Sequence, residues 1–269
     1  MNAQSSALQY TTMDDGCRIG WRMDGPADAP VLVLLHALGV DGRMWAPQVE
    51  ALADNFRILR PDARGHGASD APAGAYGMDR LGRDLLTLLD VLKIEQADLC
   101  GLSMGGVLAQ WMGVFAPHRV RRLVLANTSA WLGPPENWTD RIATMQAQGP
   151  TALEDGVMAR WFTPGFPLCA PMVVSRIHTL FCATRTEGYA GMCAALRDMD
   201  LRPVVRLIRA PVLVITGDED TSTPPERGRW LAQTISGAQH VELQAAHLSN
   251  VEQAEAFNAA LKAFLDETG

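Results

Sequence analysis

The sequence has little that would attach the protein to a membrane or to a nucleic acid. Apolar runs such as Val31 to Leu35 are far too short to span a bilayer. The first ten residues lack both the basic start and the apolar segment of a signal peptide. The net charge is -7, and no cluster of lysine and arginine overrides it. We therefore expect a cytoplasmic protein that binds neither membrane nor nucleic acid.

Cysteine is also sparse, and it follows no pattern. The chain has five cysteines, an odd number, and no two of them have the CxxC spacing: they are Cys17, Cys100, Cys169, Cys182 and Cys193. Disulfide frameworks and zinc sites usually show paired, regularly spaced cysteines. The sequence therefore predicts reduced thiols that fill the interior, with neither a disulfide framework nor a metal site.

What is present is an alternation of strand-like and helical segments. The 269 residues are 48% hydrophobic and 20% charged, which is enough for a large core in one domain or two. Val31 to Leu35 is apolar on both faces, as in a central parallel strand. Leucines at 81, 85, 88, 89 and 92 have helical spacing. Residues 31–127 thus predict βαβ units and a mostly parallel sheet, opened by a hairpin within residues 8–23.

The pattern changes after residue 131. Residues 132–200 contain prolines, tryptophans and helical fragments but no strand-like run. Strands return at 211–216 and 241–243, and a single amphipathic helix is predicted from about 251 to 265. We therefore predict an α/β core in two parts, residues 1–131 and 201–269, separated by a helical lid over residues 132–200.

One short motif predicts a reactive serine. Gly101-Leu102-Ser103-Met104-Gly105 joins a predicted strand to a predicted helix, the pattern of a nucleophile elbow. A Cβ atom at Gly101 or Gly105 would collide with the tight turn that this arrangement requires. The five residues alone match by chance easily in a chain with 24 glycines. The motif therefore needs an acid and a histidine at the right places further along the chain.

Candidates for that acid and that histidine follow the two strands predicted after residue 200. Asp218, Glu219 and Asp220 come after the first strand, and His247 comes after the second. A serine hydroxyl needs a base within hydrogen-bond reach, and the base needs an orienting acid. The order serine, acid, histidine at the ends of parallel strands meets both needs. The sequence therefore predicts that Ser103 is a nucleophile and His247 its base.

These motifs together resemble the α/β-hydrolase family over essentially the whole chain. The family's order is matched by His36–Gly39, Asp62–Ser69, Gly101–Gly106, Gly217–Pro224 and His247. The resemblance implies an eight-stranded, mostly parallel sheet with helices on both faces and a helical lid inserted after the sixth strand. It also selects Asp220 as the acid, three residues after the glycine. Some members place the acid one strand earlier, where this chain has Asn127-Thr128-Ser129 and no carboxylate.

The developing oxyanion needs two backbone N–H donors. The residue after the nucleophile, Met104, supplies one in this type of fold. By resemblance the other is the N–H of Leu38, in the loop that follows the strand at 31–35. We expect His36 to brace that loop through a backbone hydrogen bond and His66 to shape a turn.

A closer resemblance lies in the lid. Three segments in and beside the lid resemble those of the 3-oxoadipate enol-lactonases: Arg160-Trp161-Phe162-Thr163, Glu187-Gly188-Tyr189-Ala190-Gly191 and Leu201-Arg202-Pro203. These segments carry most weight because many hydrolases share the core motifs. The resemblance implies a serine hydrolase that opens a small lactone bearing a carboxylate, without a cofactor, in the β-ketoadipate pathway of aromatic catabolism.

A carboxylate beside the reacting ring implies a cation near the nucleophile. Arg160 is the leading candidate because it lies in one of those lid segments. The other candidates are Arg43, Arg141, Arg176, Arg185, Arg197 and Arg202. Trp131 and Trp138 are candidates for the pocket wall, or else they pack the lid onto the core.

Three alternatives stay open from the sequence. General carboxylesterases and cofactor-free perhydrolases or haloperoxidases share the core motifs, and the fold also serves in non-catalytic ligand receptors. Dehalogenases and epoxide hydrolases of this architecture are disfavoured, because they use aspartate where Ser103 stands. The sequence leaves the oligomeric state open.

Overall fold

The computed structural model describes residues 7–267 and contains one eight-stranded sheet; part of the N-terminal stretch for which no signal peptide is expected lies outside these residues. The strands are β1 (Gln9–Thr12), β2 (Arg18–Asp24), β3 (Val31–Leu35), β4 (Arg57–Pro61), β5 (Ala97–Leu102), β6 (Val120–Ala126), β7 (Val212–Gly217) and β8 (Gln239–Leu243). Their order in the sheet is β1-β2-β4-β3-β5-β6-β7-β8. Strands β1 and β2 form the predicted hairpin, and every pair from β4 to β8 is parallel.

The central strands are buried because they are apolar on both faces. All six residues of β5 and of β7 are buried, as are four of the five in β3. A parallel sheet of this kind has to be covered by helices on both sides. The prediction of a mostly parallel, eight-stranded α/β sheet is therefore confirmed.

Eleven helices connect and cover the strands within residues 7–267. They are α1 (Ala46–Leu52), α2 (Met78–Val91), α3 (Met104–Phe115), α4 (Pro135–Gln148), α5 (Glu154–Trp161), α6 (Phe166–Cys169), α7 (Pro171–Cys182), α8 (Thr186–Asp198), α9 (Pro225–Thr234), α10 (Ser249–Glu252) and α11 (Ala254–Asp266). Helix α3 packs on β3, β5 and β6 and against α2, while α1 packs against α11. No helix of the described part is both long and apolar enough to cross a membrane.

Helices α4 to α8 form an insertion between β6 and β7, here called the helical insertion. Its two ends meet at the sheet, where the N–H of Leu201 donates to the carbonyl of Ala130 at 2.8 Å. The backbone of the insertion also packs directly on the backbone of a core loop, at Gly188 and Gly65. A Cβ atom at Gly188 would lie 2.0 Å from the carbonyl oxygen of Gly65, so no side chain fits there. The Phe181 ring packs edge-on against Trp161 and Tyr189 and joins three helices of the insertion.

The last predicted helix is interrupted. Instead of one helix from about 251 to 265, the chain forms α10, breaks at Gln253 and resumes as α11. Two polar contacts accompany the break. The Gln253 amide donates to the carbonyl of Gln244, and the Glu252 carboxylate accepts from the N–H groups of Thr163 and Ala246. These contacts join the loop that carries His247 to the helical insertion.

Candidate active site

Ser103 lies at a sharp turn between β5 and α3. Its backbone has φ 57° and ψ -115°, a conformation that a non-glycine residue adopts only when its surroundings impose it. The collisions predicted for the flanking glycines are confirmed. A Cβ atom at Gly101 would lie 2.1 Å from the carbonyl oxygen of Gly105, and one at Gly105 would lie 2.1 Å from that of Leu35. Close backbone packing thus holds the serine in position.

Three side chains from separate loops meet at this turn. The Nε2 atom of His247 lies 2.9 Å from the Ser103 hydroxyl, and its Nδ1 atom lies 2.9 Å from an oxygen of Asp220. The three residues are only 9%, 3% and 2% exposed, in the order serine, histidine, aspartate. A hydroxyl, an imidazole and a carboxylate in this order can transfer the serine proton to histidine.

The Asp220 carboxylate is held ionised. Burial opposes its ionisation, but the charge of His247 and hydrogen bonds from His247 and Thr223 outweigh that effect and keep the pKa of Asp220 below its ordinary value. The Thr223 hydroxyl donates to it at 2.6 Å, and the N–H groups of Ser222 and Thr223 donate at 2.8 and 2.9 Å. Asp218 and Glu219, the other two acids of the loop, are exposed.

Asn127 completes the hydrogen bonding of this acid, a role that the sequence analysis did not assign. Its amide donates to Asp220 at 3.0 Å and to the carbonyl of Ala246 at 3.2 Å, and its own oxygen accepts from Ser249 at 2.5 Å. It also has a positive φ of 43°. The sequence feature that could have indicated this role is the position of Asn127 directly after β6, the strand that pairs with β7.

The two predicted oxyanion donors are free to receive a substrate. Within residues 7–267, neither the N–H of Leu38 nor that of Met104 donates to an acceptor in the protein. The loop that carries Leu38 is braced by two histidines. The Nε2 atom of His36 accepts from the N–H of Ala63 at 2.9 Å, which leaves Nδ1 to donate to the carbonyl of Ala37 at 2.7 Å.

His66 fixes the far side of the same loop. Its Nε2 atom accepts from the N–H of Gly39 at 3.0 Å, and its Nδ1 atom faces the carbonyl of Arg64. Complete burial lowers the pKa of His66 to about 3. The ring is therefore neutral at physiological pH and remains a hydrogen-bond acceptor.

Ser103 and His247 open into a cavity of about 570 Å³. The core contributes Leu38 and the loop 221–224, and the helical insertion contributes the opposite wall. That wall includes Trp138, Arg141, Arg160 and Trp161, which come from helices α4 and α5. The cavity is large enough for a small ester or lactone.

Two of the candidate arginines share this cavity. Arg160 forms no ion pair within the described residues, and burial together with the charge of Arg141 lowers its pKa. Arg141 donates to the Tyr189 hydroxyl at 2.6 Å and lies over the rings of Trp138 and Tyr189. Neither arginine is neutralised by a carboxylate of the described chain, so both are available to an anion.

The other candidate arginines have different surroundings. Arg43, Arg197 and Arg202 pair with the neighbouring acids Asp41, Asp198 and Asp200. Arg185 donates to the carbonyl of Ser69, and Arg176 is exposed on α7. None of the five lines the cavity.

The structure contradicts the prediction that Trp131 belongs to the pocket wall. Trp138 lines the cavity and donates to the carbonyl of Leu132, but Trp131 does not line it. The guanidinium of Arg202 covers the Trp131 ring instead, 4.3 Å from its centroid. Arg227, which the sequence analysis did not consider, lines the cavity and donates to the Trp131 carbonyl at 3.1 Å.

The cysteines contribute no nucleophile to the site. Burial raises the pKa of Cys17, Cys100, Cys182 and Cys193, so these thiols are protonated at neutral pH. The side chains that come together as possible metal ligands lie outside the cavity, within the helical insertion; they are Glu154, His178 and Cys182.

With this sheet and this serine turn, the chain belongs to the α/β-hydrolase family. The family model for the α/β-hydrolase fold matches residues 30–162.

Individual hydrolases are similar to this chain over nearly its whole length. The chain is 38% identical to 3-oxoadipate enol-lactonase 2 of Acinetobacter baylyi over 98% of its length and 95% of that protein. The crystal structure of the enol-lactonase from Burkholderia xenovorans LB400 is 44% identical, with a TM-score of 0.94 over 96% of this chain and all of that one. A thermophilic esterase from Thermogutta terrifontis, solved with malate bound, is 28% identical, with a TM-score of 0.90 over 97% of this chain and 98% of that one.

Proposed function

We propose that this hydrolase opens 3-oxoadipate enol-lactone to 3-oxoadipate through an acyl-enzyme on Ser103. One observation carries the proposal. The hydrogen-bonded residues Ser103, His247 and Asp220 lie beside a cavity that three arginines line, and within residues 7–267 none of these arginines has a carboxylate partner; they are Arg141, Arg160 and Arg227. A substrate that is both an ester and an anion fits such a cavity. The similarity to proteins named as enol-lactonases supports the same substrate.

The first half of the reaction forms the acyl-enzyme. His247 takes the proton of Ser103 as its oxygen attacks the lactone carbonyl, and the N–H groups of Leu38 and Met104 stabilise the negative oxygen. The bond from the carbonyl carbon to the ring oxygen then breaks. The ring oxygen leaves as an enolate, which takes up the proton from His247 and becomes the ketone. The opened chain stays attached to the serine.

The second half releases the product. His247 removes a proton from water, and the resulting hydroxide attacks the ester carbon. The bond to the serine oxygen breaks, and that oxygen recovers a proton from His247. One lactone and one water thus give one keto acid, with no cofactor or metal in the sequence of steps. Asp220 holds the imidazole in the useful tautomer and stabilises its charged form throughout.

Recognition of the substrate carboxylate falls to the helical insertion. Arg160 is half-buried and has no ion-pair partner among residues 7–267, and Arg141 beside it is held by the Tyr189 hydroxyl and the Trp138 ring. The two positive charges repel each other until an anion enters the cavity. We propose that Arg160 is the direct partner of the carboxylate and that Arg141 and Trp138 help to position it.

The proposed setting is cytoplasmic aromatic catabolism, in the β-ketoadipate pathway. The proposed partner is the small lactone alone, with no macromolecule in the reaction. A general carboxylesterase is the second candidate, because the esterase from Thermogutta terrifontis shares the fold over nearly the whole chain.

Kinetics with two substrate classes test the proposal. The enol-lactone is generated in situ and its loss is followed by absorbance, beside neutral p-nitrophenyl esters. We expect a kcat/KM for the lactone well above that for the esters. Turnover of the esters with none of the lactone would refute the lactonase proposal and leave a general esterase.

A further inference from the structure

Three metal-ligand side chains converge within the helical insertion, on the side of α5 and α7. Glu154 begins α5, and His178 and Cys182 lie on α7. The Oε2 atom of Glu154 is 3.0 Å from Nε2 of His178 and 3.2 Å from Sγ of Cys182. The Sγ and Nε2 atoms are 3.5 Å apart. One atom from each residue thus forms a small triangle.

The sequence spacing explains half of this arrangement. His178 and Cys182 are four residues apart, so they lie on the same face of α7. Glu154 comes from another helix, which packs against α7. No cysteine-pair spacing reveals such a site, and for this reason the sequence predicts no metal site.

The triangle has the size that one zinc ion requires. Zinc binds sulfur at about 2.3 Å and nitrogen or oxygen at about 2.0–2.2 Å, so two ligands at tetrahedral angles lie about 3.3–3.7 Å apart. The three observed separations, from 3.0 to 3.5 Å, reach these values after shifts of a few tenths of an ångström. Only small side-chain movements are therefore needed to admit the ion.

The donor set also suits this ion. A thiolate, an imidazole and a carboxylate are the three ligand types that zinc uses in proteins, and the Cys182 thiol would release its proton to solvent when it binds the ion. The two negative charges neutralise the ion. The His178 and Glu154 side chains are 42% and 29% exposed, which provides an entry path and leaves a fourth position to water.

We propose that Glu154, His178 and Cys182 bind one Zn²⁺ ion, with the fourth coordination position open to solvent. The site is separate from the active-site cavity, which none of the three residues lines. The ion would join α5 to α7. Because α5 also carries Arg160 and Trp161, which line the cavity, this link would restrict the movement of the cavity wall.

Cobalt titration of the whole, chelator-stripped protein tests the proposal, since Co²⁺ bound to a thiolate has a characteristic ligand-to-metal charge-transfer band. We expect saturation at one ion per chain with that band, and displacement of Co²⁺ by Zn²⁺. Cys182→Ser should remove the band, and Cys182→Ser and His178→Gln should each weaken Zn²⁺ binding by more than the roughly 10–100-fold that loss of a residue supporting a metal ligand costs. The matched control is Cys169→Ser, because Cys169 is an exposed thiol of the same insertion outside the cluster.

Thermal unfolding gives a second readout that does not depend on the spectrum. Zn²⁺ should raise the Tm of the wild type and of Cys169→Ser but not that of Cys182→Ser, since a ligand bound only to the folded state stabilises it. Far-ultraviolet circular dichroism establishes that each variant is folded. The proposal is wrong if the wild type shows no saturable binding, or if the thiolate band persists in Cys182→Ser or disappears in Cys169→Ser.

Discussion

The core loops and the helical insertion form opposite sides of one cavity, but they hold their polar groups very differently. In the core, Asp220 accepts hydrogen bonds from two side chains and two backbone N–H groups besides that of His247. In the insertion, Arg160 has no carboxylate partner within residues 7–267 and is only half-buried. The catalytic groups of the core are thus in place before a substrate arrives. The insertion instead presents a positive charge that an anionic substrate would neutralise.

This difference assigns catalysis to the core and substrate recognition to the helical insertion. Groups fixed in a buried network favour a charged transition state without reorganising. An unpaired cation gains most from the ligand that neutralises it. Changes in the core should therefore lower kcat for every ester, and changes in the insertion should alter KM for anionic substrates. The following predictions test that division, from the largest expected effect to the smallest.

Removal of the nucleophile should have the largest effect. Ser103→Ala should lower kcat more than about a thousandfold for lactone and ester alike, since loss of a triad member usually costs more than that. Steady-state kinetics on both substrates measure the loss. Ser175→Ala is the matched control, because Ser175 is exposed on α7 and should leave the kinetics unchanged. Retention of more than a thousandth of the rate would mean that Ser103 forms no covalent intermediate.

Two aspartates of one loop provide the next comparison. Asp220→Asn should lower kcat by about 10³–10⁴, because an amide no longer holds the imidazole in the useful tautomer. Asp218→Asn should have little effect, because Asp218 is exposed and accepts only from the N–H of Ala245 among the described residues. Similar kcat losses in the two variants would contradict the assignment of the acid.

A change in the insertion should affect binding more than chemistry. Arg160→Gln should raise KM for the anionic lactone about 10–100-fold, the value of one charge-assisted hydrogen bond, with a smaller change in kcat. Its kinetics with neutral p-nitrophenyl esters should be almost unaffected. Arg176→Gln, on the exposed side of α7, is the control. An equal loss on neutral and anionic substrates would show that Arg160 supports the fold instead of the carboxylate.

The smallest effect concerns stability and pH. The unfolded chain protonates His66 near pH 6.5, whereas the folded protein does so only near pH 3, so its contribution to stability is lost as the pH falls through that range. His66→Gln keeps an acceptor for Gly39 and should reduce the slope of unfolding free energy by up to about 1.4 kcal/mol per pH unit. Denaturant unfolding at several pH values measures it.

The matched control for that measurement is His118→Gln, because His118 is exposed in a short turn before β6. This variant should keep the wild-type slope. Identical slopes in His66→Gln and the wild type would show that the His66 ring does not remain neutral in the folded protein.

Features set by local chain geometry were predictable from the sequence. The turn at Ser103 follows from glycines that no side chain can replace, and the buried strands follow from their apolar runs. Features set by contacts between distant segments were not, except where the order of motifs along the chain marked them, as it did for Ser103, Asp220 and His247. Asn127 acquires its role because β6 lies beside β7, and the Glu154 cluster forms because α5 packs against α7. The position of Trp131 in the chain left open whether it lines the pocket or packs the lid onto the core, and it does not reveal that Arg202 covers its ring.

The most direct test of the account is covalent labelling by a fluorophosphonate, with enol-lactone hydrolysis followed in the same sample. Peptide mass spectrometry should place the phosphonyl group on Ser103, and lactone hydrolysis should fall in proportion to the fraction labelled. Full labelling of Ser103 with undiminished lactone hydrolysis, or loss of hydrolysis with the label on another residue, would contradict the account.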